Sequence, residues 1–262
     1  IDDPEGALWT RADIAAARAR APMTVDEVVV AVDPPTGVGP TADACGLIVH
    51  TIPNGSTNAA MQLKLFAGAA SAEQEFCHVI ACLGGAIASS VYCPVRVPEG
   101  TRISGKSTSS AGFQDLYAAI TLLRGRSDGP CASRGTPAGV LSDGNLTDVD
   151  AGATANTKGE WTQIEASTAR DAIGYTLFVL QDATSAGDAR FLVDLAVGGS
   201  GNEQVILADV NAFFAGFSPG IVTLGPIWTP IPAASRIAAR AACNVNTATN
   251  RVPRVGLILW EP

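Results

Sequence analysis

Charge is scarce in this sequence. Asp, Glu, Lys and Arg make up 16% of its 262 residues, against about 25% in an ordinary soluble domain. The balance is acidic, 25 carboxylates to 17 cations, and no Lys/Arg stripe suited to a phosphate backbone is present, so nucleic acid is not an expected partner. No apolar run reaches the roughly 18 residues of a spanning helix, so membrane insertion is not expected. No charged start followed by an apolar core marks a secretion leader. A G-x-x-x-x-G-K-[ST] phosphate loop is absent. Only two histidines occur, His50 and His78, and neither has the spacing to Ser, Cys or Asp of an acid/base set.

Turn residues are abundant instead. The 27 glycines and 16 prolines suit many short strands joined by tight turns, and the low charge suits a surface partly covered by neighbours. Six cysteines fall at 45, 77, 82, 93, 131 and 243. Cys77-His78 with Cys82 and Cys93 matches no compact zinc spacing, so free, buried thiols are expected.

The organising feature is an internal repeat. Met61 to Ala67 lies opposite Phe191 to Val197, and both runs alternate as half-buried strands do. Glu73-Gln74 lies opposite Glu203-Gln204. Val97-Pro98 to Arg102-Ile103 lies opposite Ile231-Pro232 to Arg236-Ile237. The offset drifts from 128 at Asp43/Asp171 to 130 and then 134, as loop insertions between strands of equal length would produce. In the second copy Leu207, Ala208 and Ala212 stand where the first has Cys77, His78 and Cys82, which favours packing over chemistry for those three. Each repeated arginine falls one residue off an inward isoleucine, where Arg102 could pair with Glu73 and Arg236 with Glu203.

Strands at intervals of about ten residues, with turn signals between them, indicate a sandwich or barrel. The expected organisation is an N-terminal helical segment (1–22), a first β-sandwich (23–126), a linker (127–139) rich in Gly, Pro and Ser, and a second β-sandwich (140–262). Within the first segment, Ala7 to Ala21 reads as a helix with Thr10 as N-cap, Asp13 three residues on and Pro22 beyond its end. Phe213, Phe214 and Phe217 read as core. Trp161, with Gln163, is expected on one side of a strand.

Ala7-Leu8-Trp9-Thr10-Arg11, Val28 to Pro35 and Asp43 to Val49 resemble the start of the nuclease domain of phage terminase large subunits, over about residues 5 to 50. That resemblance implies an RNase H-like strand ending in Asp33 as a ligand for Mg²⁺ or Mn²⁺, a role a strand-end carboxylate suits. The phosphate loop and the further carboxylates of such an enzyme are missing, and the repeat claims residue 43 onward. Asp33 therefore reads first as an Asp-Pro turn, with no catalytic, cofactor or metal site expected.

From residue 43 to 262, the Trp-Thr-Gln-Ile, Glu-Gln, Ile-Pro-x-x-[Ser/Thr]-Arg-Ile and Gly-Leu-Ile-Leu features resemble tandem β-sandwich proteins of tailed-phage virions. This implies an all-β chain of two tandem jelly-roll-like antiparallel sandwiches. Its role would be non-enzymatic, in a tail, tail tip, fibre or capsid decoration, assembled in the host cytoplasm into the virion. Its partners would be copies of itself and other virion proteins. A carbohydrate- or receptor-binding adhesin on the same scaffold is the alternative, with Trp228 or Tyr92 stacking on a host surface glycan. A metal-dependent terminase nuclease is the second alternative.

Overall fold

The computed structural model describes residues 28–32, 44–54, 59–69, 72–83, 89–98, 100–109, 115–124, 130–141, 145–181, 187–214 and 220–262. The expected N-terminal helix, Asp33 and Phe217 lie outside the described residues. Those described form strands and turns without a helix, so the all-β expectation holds.

The strands of the first half are β1 (Val28–Val32), β2 (Ala44–Asn54), β3 (Ala59–Ala67), β4 (Gln74–Leu83), β5 (Ser89–Val97), β6 (Ile103–Ser109) and β7 (Asp115–Arg124). Next come β8 (Arg134–Ala138) and β9 (Thr147–Asp148). The second half holds β10 (Thr162–Glu165), β11 (Gly174–Gln181), β12 (Ala189–Val197), β13 (Gln204–Phe214), β14 (Ile221–Ile227), β15 (Ile237–Cys243) and β16 (Pro253–Glu261).

Their pairing reproduces the sequence repeat. One sheet of the first half runs β1-β6-β3-β4, and one of the second runs β10-β15-β12-β13. The other sheet of the first half runs β5-β2-β7, matched by β14-β11-β16, which β8 extends at its edge. Every strand pair within these sheets is antiparallel. In each half, inward side chains of the two sheets meet in one apolar core. Leu47, Val49, Leu63, Leu65, Cys77 and Val91 contribute to the first, and Tyr175, Leu177, Phe191, Val193, Ile237 and Leu257 to the second.

The halves are fused rather than tethered. All eight residues of β11 are buried, because this sheet is covered on both faces. Tyr175, Leu177 and Val179 point into the second core, while Phe178, Leu180, Ile258 and Trp260 join the first half's core beside Val95, Cys77 and Val79. A strand buried on both faces reads as a near-continuous apolar run, and Tyr175 to Leu180 is one, broken only by Thr176, whose hydroxyl accepts from the Trp260 indole. The stretch expected as a linker takes part in the seam. Ala132 donates to Pro94 O and accepts from the Arg96 amide at 2.7 and 2.9 Å, and Arg134–Ala138 pairs with β16 as β8. Pro137 is tolerated because β8 is an edge strand, where one missing N–H leaves no ladder partner.

Gly135 shows how tight the seam is. A Cβ there would come within 2.5 Å of the Trp260 ring and 2.9 Å of Ile258. Gly135→Val is expected to force Trp260 out of place and to destabilise the chain by about 1–3 kcal/mol, read as a lower urea midpoint. An unchanged midpoint would mean that Trp260 has room to move.

Candidate functional site

The repeated corner is built alike in both halves. Gly68 and Gly198 adopt φ values of 129° and 118°, and a Cβ on either would press on a backbone oxygen, of Ala72 or Asn202. Ala72 N bonds Ala69 O in one turn, and Asn202 N bonds Gly199 O in the other. Gly68 N donates to Arg102 O, and Gly198 N to Arg236 O, at 3.2 and 3.1 Å. Arg102 then reaches Glu73 and Arg236 reaches Glu203 at 3.0 Å. The pairing expected from the repeat is thus present twice. Arg236 adds bonds to Gly198 O and to Gln163 Oε1, which accounts for Gln163 on β10.

Among the described residues, a denser charge cluster occurs in the second half of the repeat alone. Asp194 of β12 is 3% exposed, too buried to stand unpaired. Its Oδ1 accepts from Lys158 at 2.6 Å and from the Asp209 amide at 2.9 Å, and its Oδ2 accepts from Arg240 Nε at 2.9 Å. Burial pushes the Asp194 carboxyl up, but Lys158, the Asp209 amide and Arg240 outweigh it and hold the group below the usual carboxylate range. Lys158 also donates to Leu192 O and pairs with Asp209 at 2.9 Å. The Arg240 guanidinium lies 4.4 Å from the centre of the Trp161 ring, so Trp161 covers a cation. One carboxylate therefore ties the segment before β10 to β12, β13 and β15.

Near the seam, His78 of β4 is buried. Its Nε2 lies 2.8 Å from Gln62 Oε1, and the Gln62 amide donates across the seam to Leu141 O at 3.2 Å. Its Nδ1 stands 3.4 Å from Glu75, without hydrogen-bond alignment. The His78 ring is the strongest influence holding the Glu75 carboxyl below its usual range, with Lys64 assisting against burial. His78 thus braces Gln62, the residue that reaches across the seam, and Ala208 at the repeat position has no ring to do the same.

The remaining candidates are dispersed. His50 Nδ1 meets Ser90 Oγ at 2.8 Å on a different sheet from His78. Cys77, Cys93 and Cys243 are free and buried, and burial, with Cys77 alongside, pushes the Cys93 thiol well up. Cys131 departs from the expectation of free thiols, since it is disulfide-bonded. Phe214 is core, as expected, but its neighbour Phe213 faces outward with the Arg190 guanidinium 5.1 Å from its centre. Alternation along β13 places adjacent phenylalanines on opposite faces. Tyr92 lies against Gly46, and Trp228 is 39% exposed. Among the described residues no group of three or more His, Cys, Asp and Glu could hold a metal ion.

Fold and site together define an all-β, sandwich-like protein whose charged side chains fasten its own strands. No family model matches the chain, and no curated protein matches it, so the phage and terminase resemblances rest on their quoted motifs alone. Among solved structures the chain is similar to the N-terminal CBM22-1-CBM22-2 tandem domain from Paenibacillus barcinonensis Xyn10C. The identity is 10% and the TM-score 0.31, over 91% of this chain and 92% of that one. It is also similar to a chain of infectious bursal disease virus Gx strain, at 10% identity and a TM-score of 0.29, over 84% of this chain and 57% of that one. At such low identity and TM-scores, neither likeness assigns a function.

Proposed function

We propose that this chain is a non-enzymatic structural protein of a virion, in a tail, tail tip, fibre or capsid decoration, built of two tandem jelly-roll-like sandwiches and working as a homo-oligomer. The observation that supports this reading most is the duplicated unit fused through a sheet buried on both faces. Such a body is stiff, and its charged groups are spent on holding strands in register: the Arg–Glu corner in each half and Asp194 in the second. Sedimentation velocity over a concentration series, with immunogold labelling of purified particles, tests it. Species larger than one chain and gold at regular positions are expected. A monomer at every concentration, absent from particles, overturns the reading.

The exposed Trp228 ring favours a second reading, an adhesin that stacks this ring on a glycan. A glycan array should then give a signal that Trp228→Ala removes, and a silent array sets this reading aside.

A further inference from the structure

The seam inside the chain shows what the second half lacks. In the first half, the open side of the sandwich between β4 and β5 lies against the sheet of β14, β11, β16 and β8. Phe178, Leu180, Ile258 and Trp260 fill it from outside. Phe76, Cys77 and Val79 on β4 and Val91 and Cys93 on β5 are consequently buried. The equivalent side of the second half lies between β13 and β14. There Ile206 and Leu207, at the places of Phe76 and Cys77, are only half-buried, as is Val222. Leu224 faces Leu177 as Val91 faces Val49, yet Leu224 is 39% exposed. An apolar side sealed in one copy of the unit is left open in the other.

We infer that a second copy of this chain covers the β13–β14 side, using the outer face of its β5-β2-β7 sheet, so that the protein associates head to tail. This inference rests on the homo-oligomeric reading above and names its contact. The occupant follows from the seam already present, since the surface that seals the first half is the outer face of the sheet β14-β11-β16-β8, and its first three strands have counterparts in β5-β2-β7. In a single chain that face is already used. Its counterpart in the repeat, the outer face of β5-β2-β7, is the one that a neighbouring copy can offer.

The counterpart face repeats that surface in part, with Thr121 at the place of Ile258. Leu123 follows Leu122 on β7 as Trp260 follows Leu259 on β16, with Leu122 facing Leu47 and Leu259 facing Tyr175 at the 128-residue offset. Leu123 is 37% exposed. Ile48 and Tyr92 on the same sheet are half-buried, as is His50, which holds the place of Phe178. Repeating the internal seam between copies joins two different surfaces, so the contact is heterologous and propagates until its rotation closes a ring.

A carboxylate introduced at each surface tests this with the full chain. Leu224→Glu and Leu123→Glu each sit at a position over a third exposed, so both variants should keep the wild-type melting curve. By sedimentation, each alone should need about tenfold higher concentration to associate, the loss of about one buried leucine contact. Mixed together, they should form dimers and stop there, because each variant retains the one surface that the other lacks. If Leu123→Glu alone still associates like wild type, or the mixture forms no dimers, the head-to-tail contact is wrong. Wild-type association indifferent to both changes overturns this contact but leaves the homo-oligomer standing, whereas a wild-type monomer at every concentration overturns both. Should a glutamate variant fail to fold, chains carrying Leu224→Cys and Leu123→Cys give the same decision. A disulfide-linked dimer formed only in the mixture supports the contact, and its absence refutes it.

Discussion

Trp260→Ala is expected to lower the stability of the whole chain by about 3–5 kcal/mol, a large part of the roughly 5–15 kcal/mol that holds a domain folded. Trp260 is fully buried, yet it belongs to a strand of the second half and fills the core of the first. Its indole N–H donates to Thr176 Oγ1 at 3.0 Å, and its ring lies over Gly135. Alanine would empty a large space between sheets that cannot collapse without pulling β8 and β16 away from β4. Urea denaturation followed by fluorescence of the other tryptophans and by circular dichroism measures the loss. Trp260→Phe should recover more than half of it. A change below about 1 kcal/mol, typical of an exposed site, would show that the seam does not hold the halves together.

Asp194→Ala should have the next largest effect, a loss of about 2–4 kcal/mol. It takes the carboxylate from Arg240, leaves Lys158 with Asp209 and Leu192 O alone, and leaves the Asp209 amide without its acceptor. Both cations keep partial access to water, which places the expectation below the cost of a fully enclosed charge. The pH dependence follows from the sign of the shift. The folded Asp194 carboxyl titrates below its unfolded value, so its contribution is complete above the ordinary carboxylate range and is lost as pH falls through the folded value. The stability gap between wild type and Asp194→Asn should therefore be widest at neutral pH and close in acid. Glu75 and Asp150, both held low by their partners, add acid sensitivity of the same sign. A gap that stays constant from neutral to strongly acidic pH would remove Asp194 from the account.

Much of this architecture was legible in the residues. Alternation in Met61 to Ala67 and Phe191 to Val197 marked equivalent strands, and the spacing of Glu73 to Arg102 and Glu203 to Arg236 marked equivalent corners. Both signals are local patterns or a pattern copied twice. The seam was hidden, because Phe178 and Trp260 look like any other core residues when a strand is apolar throughout. The strand Arg134–Ala138 was hidden for the opposite reason. Gly135 and Pro137 resemble a linker, although one residue makes room for Trp260 and the other occupies an edge.

The Asp194 cluster could not be assembled from spacing either. Its two cations come from 36 and 46 residues away along the chain, and only the sheet order brings them together. Six cysteines permit many pairings, which is why a disulfide at Cys131 carried no sequence signal.

If the two like units form one cooperative body, differential scanning calorimetry of the full chain shows it most directly. A single transition with equal calorimetric and van't Hoff enthalpies is expected, moved downward as a whole by Trp260→Ala. Two separate transitions, with Trp260→Ala displacing only one, would contradict it.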